Sequence, residues 1–97
     1  MPNSANANDL VNRAFVNLST LRENLDMTGY VQEWAVDIFN RALDELQQAG
    51  QDVTEWERIP LVEVDLGVDQ YEFRAKIDAI LMSFPRPEEK GPIGFHM

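Results

Sequence analysis

Apolar residues crowd the stretch between Tyr30 and Ala49 at helical spacing, with Val31, Trp34, Ala35, Val36, Ile38, Phe39, Ala42, Leu43 and Leu46 between those ends. Wound at about 100° per residue they cover roughly two-thirds of a helix circumference, far more than the apolar stripe of an ordinary surface helix. A helix over 30–49 with this much apolar surface needs cover on several sides and is expected at the centre of the fold, with Trp34 and Ile38 in the core. Gln32, Glu33, Asp37, Asn40, Asp44 and Gln47 hold the polar remainder, and Gly50 supplies a left-handed stop.

A second helical pattern precedes it. Val11, Ala14, Leu18, Leu21 and Leu25 recur at alternating steps of three and four, with Leu10 and Phe15 widening the stripe. This predicts a helix over 9–27, capped by Asn8 or Asp9 and ended by the turn Asp26-Met-Thr-Gly29, with Thr28 offering its hydroxyl to the next helix. So short a turn favours an antiparallel hairpin of 9–27 and 30–49, with a nearly continuous kinked rod as the lesser alternative. The first eight residues are small and polar and are expected to be disordered.

Beyond Gly50 the pattern changes twice. Thr54 and Glu57 have capping-box spacing, which predicts one short helical turn carrying Trp56. From 61 to 68 the chain alternates, Val62, Val64, Leu66 and Val68 on one side and Glu63 and Asp65 on the other, which predicts a short strand or extended arm. Residues 69–84 fit two templates. Tyr71, Phe73, Ala75, Ile77, Ala79 and Leu81 alternate, which would make a hairpin over 61–81 and an α+β fold. The helical template fits better, because Phe73, Ile77, Ile80, Leu81 and Phe84 share one side, Asp69 with Glu72 can cap the start, and Pro85 stops the run. The fold expected is therefore mostly α: a helical hairpin, a third helix over 69–84 and one short extended segment, in a single domain over 9–84. The tail 85–97 holds three of the five prolines and should be extended, with an apolar end at Ile93, Phe95 and Met97.

Composition narrows the chemistry. Seventeen acidic residues against eight basic ones give a net charge of −9, and the basic residues are scattered singly. Such a chain repels a phosphate backbone, so no nucleic-acid partner is expected, and a basic protein is the partner its charge would attract. Cysteine is absent, which excludes disulfides and thiolate metal sites. No apolar run is long enough to span a bilayer and the first residues lack the pattern of a secretory leader, so a cytoplasmic protein without a membrane partner is expected.

The densest candidate chemistry is acidic. Between 52 and 72 stand Asp52, Glu55, Glu57, Glu63, Asp65, Asp69 and Glu72 against Arg58 alone, a local charge of −6. Glu63, Asp65, Asp69 and Glu72 are the carboxylates that could hold a hard cation, although the spacing Asp65-Leu-Gly-Val-Asp69 does not match an EF-hand loop. A solvated acidic face is the plainer account. His96, the one histidine, sits beside the last residue, so Ser-His, Cys-His and His-metal arrangements have no basis. Glu33, Asp37 and Arg41 at steps of four make an ion-pair ladder on one helix. Tyr30, Trp34, Phe39 and Phe15 would line a pocket for an apolar molecule if they were not core.

The function expected is that of a small acidic interaction or regulatory protein, without catalysis and without a cofactor, acting through protein–protein contacts as a homodimer. Its contact surface is expected around Tyr30, Trp34 and Phe39 with Val62, Val64 and Leu66, where an unpaired strand 62–68 would meet its own copy across a twofold axis. The alternatives are a small-ligand or metal-assisted enzyme using the carboxylates at 63–72, and a helical pocket protein beside Trp34.

Overall fold

The computed structural model describes residues 3–84, with side chains from Asn8 onward. Four helices follow one another: α1 (Asn3–Thr28), α2 (Glu33–Gln48), α3 (Leu61–Leu66) and α4 (Gln70–Ser83). There is no strand among the described residues. The chain is mostly helical, as its periodicity requires. The tail 85–97 lies outside the described residues.

The helix ends follow from local chemistry. α1 stops where Gly29 N returns a hydrogen bond to Leu25 O at 2.8 Å. The Thr28 hydroxyl donates to Asn24 O and accepts from Tyr30 N, so it closes its own helix rather than capping the next one. α2 starts at Glu33, with Gln32 at its N-cap making no side-chain cap. It ends in paired bonds from Gly50 N to Gln47 O and from Gln51 N to Leu46 O, a Schellman closure that needs the positive φ of 91° at Gly50. Asp69 caps α4 by accepting from Tyr71 N at 2.9 Å and Glu72 N at 3.4 Å.

α1 packs on α2 and α4, and α2 packs on α3. α1 contributes Val11, Ala14, Phe15, Leu18, Leu21 and Leu25 to the core, α2 contributes Ala35, Val36, Phe39, Ala42, Leu43 and Leu46, and α4 contributes Phe73, Ile77 and Ile80. Phe39 and Phe73 meet with ring centroids 5.2 Å apart and tilted by 55°, a favourable aromatic geometry that joins α2 to α4. The connection 50–60 is anchored by buried Val53 and Ile59, by both amide atoms of Asn40, and by Trp56 against Phe84 at 5.5 Å. Among the described residues no helix is long and apolar enough to cross a membrane.

Several expectations are corrected. α1 reaches back to Asn3, into the stretch 1–8 expected to be disordered. A single hydrogen-bonded turn does form at Thr54 and Glu55, with Trp56 N donating to Val53 O at 3.1 Å, but it is not opened by the expected capping box: Asp52 Oδ1 accepts from both Thr54 N and Thr54 Oγ1 in an Asx turn. Residues 61–66 are helical, so neither the strand at 61–68 nor the hairpin over 61–81 is present. Pro60 stands at the N-cap of α3, where its lack of an N–H costs nothing, and Gly67 at φ 93° ends it. The alternation of Val62, Val64, Leu66 and Val68 is equally two pairs at i,i+4. Val64 and Val68 pack against the core, while Val62 and Leu66 face solvent. Trp34 is 42% exposed and is not a core residue, whereas Ile38 is half-buried against the core.

Candidate functional site

The sequence around α3 dictates an unusual surface. Four of its six residues are apolar, yet none is buried, because a helix of one and a half turns held between Pro60 and Gly67 can turn only Val64 inward. Leu61 and Val62 are exposed, and Leu66 is 80% exposed. α3 and the start of α4 enclose a cleft of about 250 Å³, floored by Ile59, Val68 and Phe73 and edged by Leu66. Glu63, Asp69, Glu72 and Lys76 complete its lining.

The expected contact residues are divided by the structure. Val62 and Leu66 are exposed, as are Tyr30, at 71%, and Trp34. Phe39 is fully buried and cannot contact a partner, since its helical position turns it onto Phe73. Val64 is half-buried against the core. Phe15 and Phe39 lie in the core while Tyr30 stands on the surface, so the four aromatics proposed for an apolar pocket do not line one together.

Of the carboxylates considered for a cation, Glu63, Asp69 and Glu72 line the α3–α4 cleft and Asp65 is not on its lining. Asp69 is already committed to the backbone of α4. Among the described residues no group of three or more Asp, Glu or His side chains is gathered closely enough to hold a metal ion. His96 lies outside the described residues.

Charge is partitioned sharply. Each of the five described arginines reaches a carboxylate elsewhere: Arg13 to Glu45, Arg22 to Asp26 and Asp78, Arg41 to Asp37, Arg58 to Asp44, and Arg74 to Asp26. The Arg41–Asp37 part of the expected ladder is present at 3.2 Å. Arg22, Asp26, Arg74 and Asp78 form an alternating network that ties α1 to α4, and the hydrogen bond to Asp78 together with its charge raises the pKa of Arg22. By contrast, none of the seven carboxylates between 52 and 72 joins an ion pair among the described residues. Hydrogen bonds from the Thr54 hydroxyl and then its backbone N–H hold the Asp52 carboxyl below its ordinary pKa.

The sequence reasoning passed over three features of this region. Leu61 is exposed beside Val62, the amide of Asn40 holds Ile59 and so places the cleft floor, and Glu45 is a buried carboxylate. The first was readable from the bracket of Pro60 and Gly67 around a six-residue apolar run. Glu45 stands three residues from Ala42 and four from Ala49, inside the apolar sector of α2. Compared with family models, with curated proteins and with solved structures, this chain matches none.

Proposed function

We propose that this chain is a small non-catalytic interaction protein that acts through protein–protein contacts. One observation carries this reading: α3 holds Leu61, Val62 and Leu66 in solvent although the core beneath it is complete. Single exposed apolar residues are ordinary, but three on one six-residue helix beside an apolar-floored cleft form a local patch of the kind that marks contact sites. The alternative of a metal-assisted enzyme draws no support from the carboxylates at 63–72, which do not converge. The acidic, cysteine-free composition suits the cytoplasm.

We further propose an antiparallel hairpin of α1 and α2 as the frame and a homodimer as the assembly. Arg13, early in α1, lies 3.6 Å from Glu45, late in α2, while the two helices are joined at the opposite end. Tyr30 and Trp34, at that joined end, are the aromatic pair available for an isologous contact. A twofold contact through α3 would bring two copies of the −6 segment together and is disfavoured. Sedimentation equilibrium at micromolar concentration tests the assembly. A mass of twice 11.1 kDa that falls to the monomer in Trp34→Ser supports it, and the monomer mass throughout for the unsubstituted chain rejects it.

A further inference from the structure

We infer that the α3–α4 cleft is a docking site for a basic amphipathic segment of another protein, one that seats an apolar side chain on Ile59, Val68 and Phe73 and sets Lys or Arg against the carboxylates around it. This inference rests on α3 being a contact surface and adds the chemistry of the partner.

Charge complementarity decides the occupant. The five described arginines are matched to Asp and Glu within the chain, Arg58 of the loop reaching back to Asp44 of α2, so negative charge outweighs positive on the loop, α3 and the start of α4, where Lys76 is the basic side chain at the cleft. Glu63, Asp69 and Glu72 outnumber Lys76 around an apolar floor, and Leu66 stands beside them, which is the pattern of an apolar anchor within a net negative rim. An acidic segment gains the floor but meets repulsion from the rim, and a neutral one gains the floor alone. A basic one gains both, and a helix with Leu at i and i+4 places its anchors on one face with Lys on the flanks. A second copy of this chain brings the same negative charge and is a poor occupant.

The test uses the full-length chain and three fluorescent peptides of about 14 residues, long enough for roughly four helical turns. The first repeats Leu-Lys-Lys-Leu, the second replaces each Lys by Glu, and the third replaces each Leu by Ser. Anisotropy titrations are run on the unsubstituted chain, on Leu66→Ser and on the charge reversal Glu63→Lys/Glu72→Lys, with circular dichroism to confirm that each variant is folded. All three substituted positions are exposed, so the helical signal should be retained. The expected result is binding of the basic amphipathic peptide at least about 10-fold tighter than either control, which is about 1.4 kcal/mol. Both variants should lose about 10-fold, and binding should weaken as salt rises.

Equal binding of the acidic peptide, with Leu66→Ser still harmful, would sink the basic partner and leave the contact surface standing. Indifference of all three peptides to Leu66→Ser would sink both. If an unlabelled peptide of residues 85–97 displaces the probe and binds through Leu66, the occupant is the chain's own tail and the inference fails. If a second copy is the occupant, Leu66→Ser lowers the sedimentation mass, and the inference fails equally.

Discussion

The side-chain amide of Asn40 brackets the backbone of Ile59: Ile59 N donates to Asn40 Oδ1 at 2.8 Å, and Asn40 Nδ2 donates to Ile59 O at 2.9 Å. One side chain thus stands in for a neighbouring strand and satisfies both polar groups of a buried residue that belongs to no helix. Through Ile59 it also sets the height of Pro60 and hence the start of α3.

Asn40→Ala removes both bonds and leaves a part-buried N–H and C=O without partners, which should destabilise the chain by about 2 kcal/mol. Asn40→Asp keeps the acceptor for Ile59 N but sets a carboxylate oxygen against Ile59 O where the donor stood, so it too should destabilise the chain. Urea unfolding measures both. A loss under about 0.5 kcal/mol for Asn40→Ala would show that water replaces the bracket without penalty.

Trp34 and Phe39 lie five positions apart on the same helix and should behave oppositely. Phe39→Ala empties a fully buried site against Phe73 and should cost about 3 to 5 kcal/mol. Trp34→Ala should cost under about 1 kcal/mol, because its ring is already partly in water. Equal losses in a denaturant titration would place Trp34 back in the core.

The buried carboxylate Glu45, 7% exposed, has one oxygen 3.6 Å from Arg13 and another without a hydrogen-bond partner among the described residues. Removing Arg13 alone strands that charge, so Arg13→Ala should destabilise by about 1 kcal/mol. Glu45→Leu replaces the carboxylate with an apolar group of similar size and should be neutral or stabilising. In the Glu45→Leu background, Arg13→Ala should cost nothing measurable; a loss there as large as in the parent would mean that Arg13 acts through packing.

Asp52 titrates below the ordinary carboxyl range in the folded chain because Thr54 donates to it twice. The folded pKa is thus lower than the unfolded one. Its contribution to stability is complete above the unfolded pKa and is lost as pH falls through the folded value. Carboxyl-detected NMR should find the Asp52 midpoint below that of an exposed aspartate, and Thr54→Val, which keeps only the backbone donor, should move it part of the way back. An unchanged midpoint in Thr54→Val would assign the shift to the backbone alone.

The long helices were legible because their apolar positions repeat over many turns. Val11 to Leu25 and Val36 to Leu46 are buried where the 3.6-residue period puts them. Phe73, Ile77 and Ile80 favour helix over strand by the same test, and Asp69 caps them as its spacing suggested. The failures fall where the chain is too short for a period to be measured. Over seven residues an alternation and two i,i+4 pairs coincide, so Val62 to Val68 could not declare themselves without the turn chemistry of Pro60 and Gly67. Trp34 was misplaced for another reason: a wide apolar sector says how much cover a helix needs, not which edge stays bare. For α2, the packed neighbours α1 and α3, with Phe73 of α4 against Phe39, leave that edge, and Trp34 stands on it. Of the residues expected at the candidate surface, Val62 and Leu66 are exposed, and they are so as an i,i+4 helical pair rather than as one side of a strand.

With one and a half turns and a single inward valine, α3 can open without disturbing the aromatic contact of Phe39 and Phe73 beneath it. A helix this short is not stable alone, so its amides should exchange with solvent hydrogen through local opening, far faster than those of Leu18 or Leu43, which wait for global unfolding. Any partner that seats on Leu66 holds α3 in the helical state seen here, and the fraction of chains in which α3 is open lowers its apparent affinity. Contact here should then be recorded as a slowing of amide exchange confined to 61–66, a signal that precedes any change in the rest of the fold.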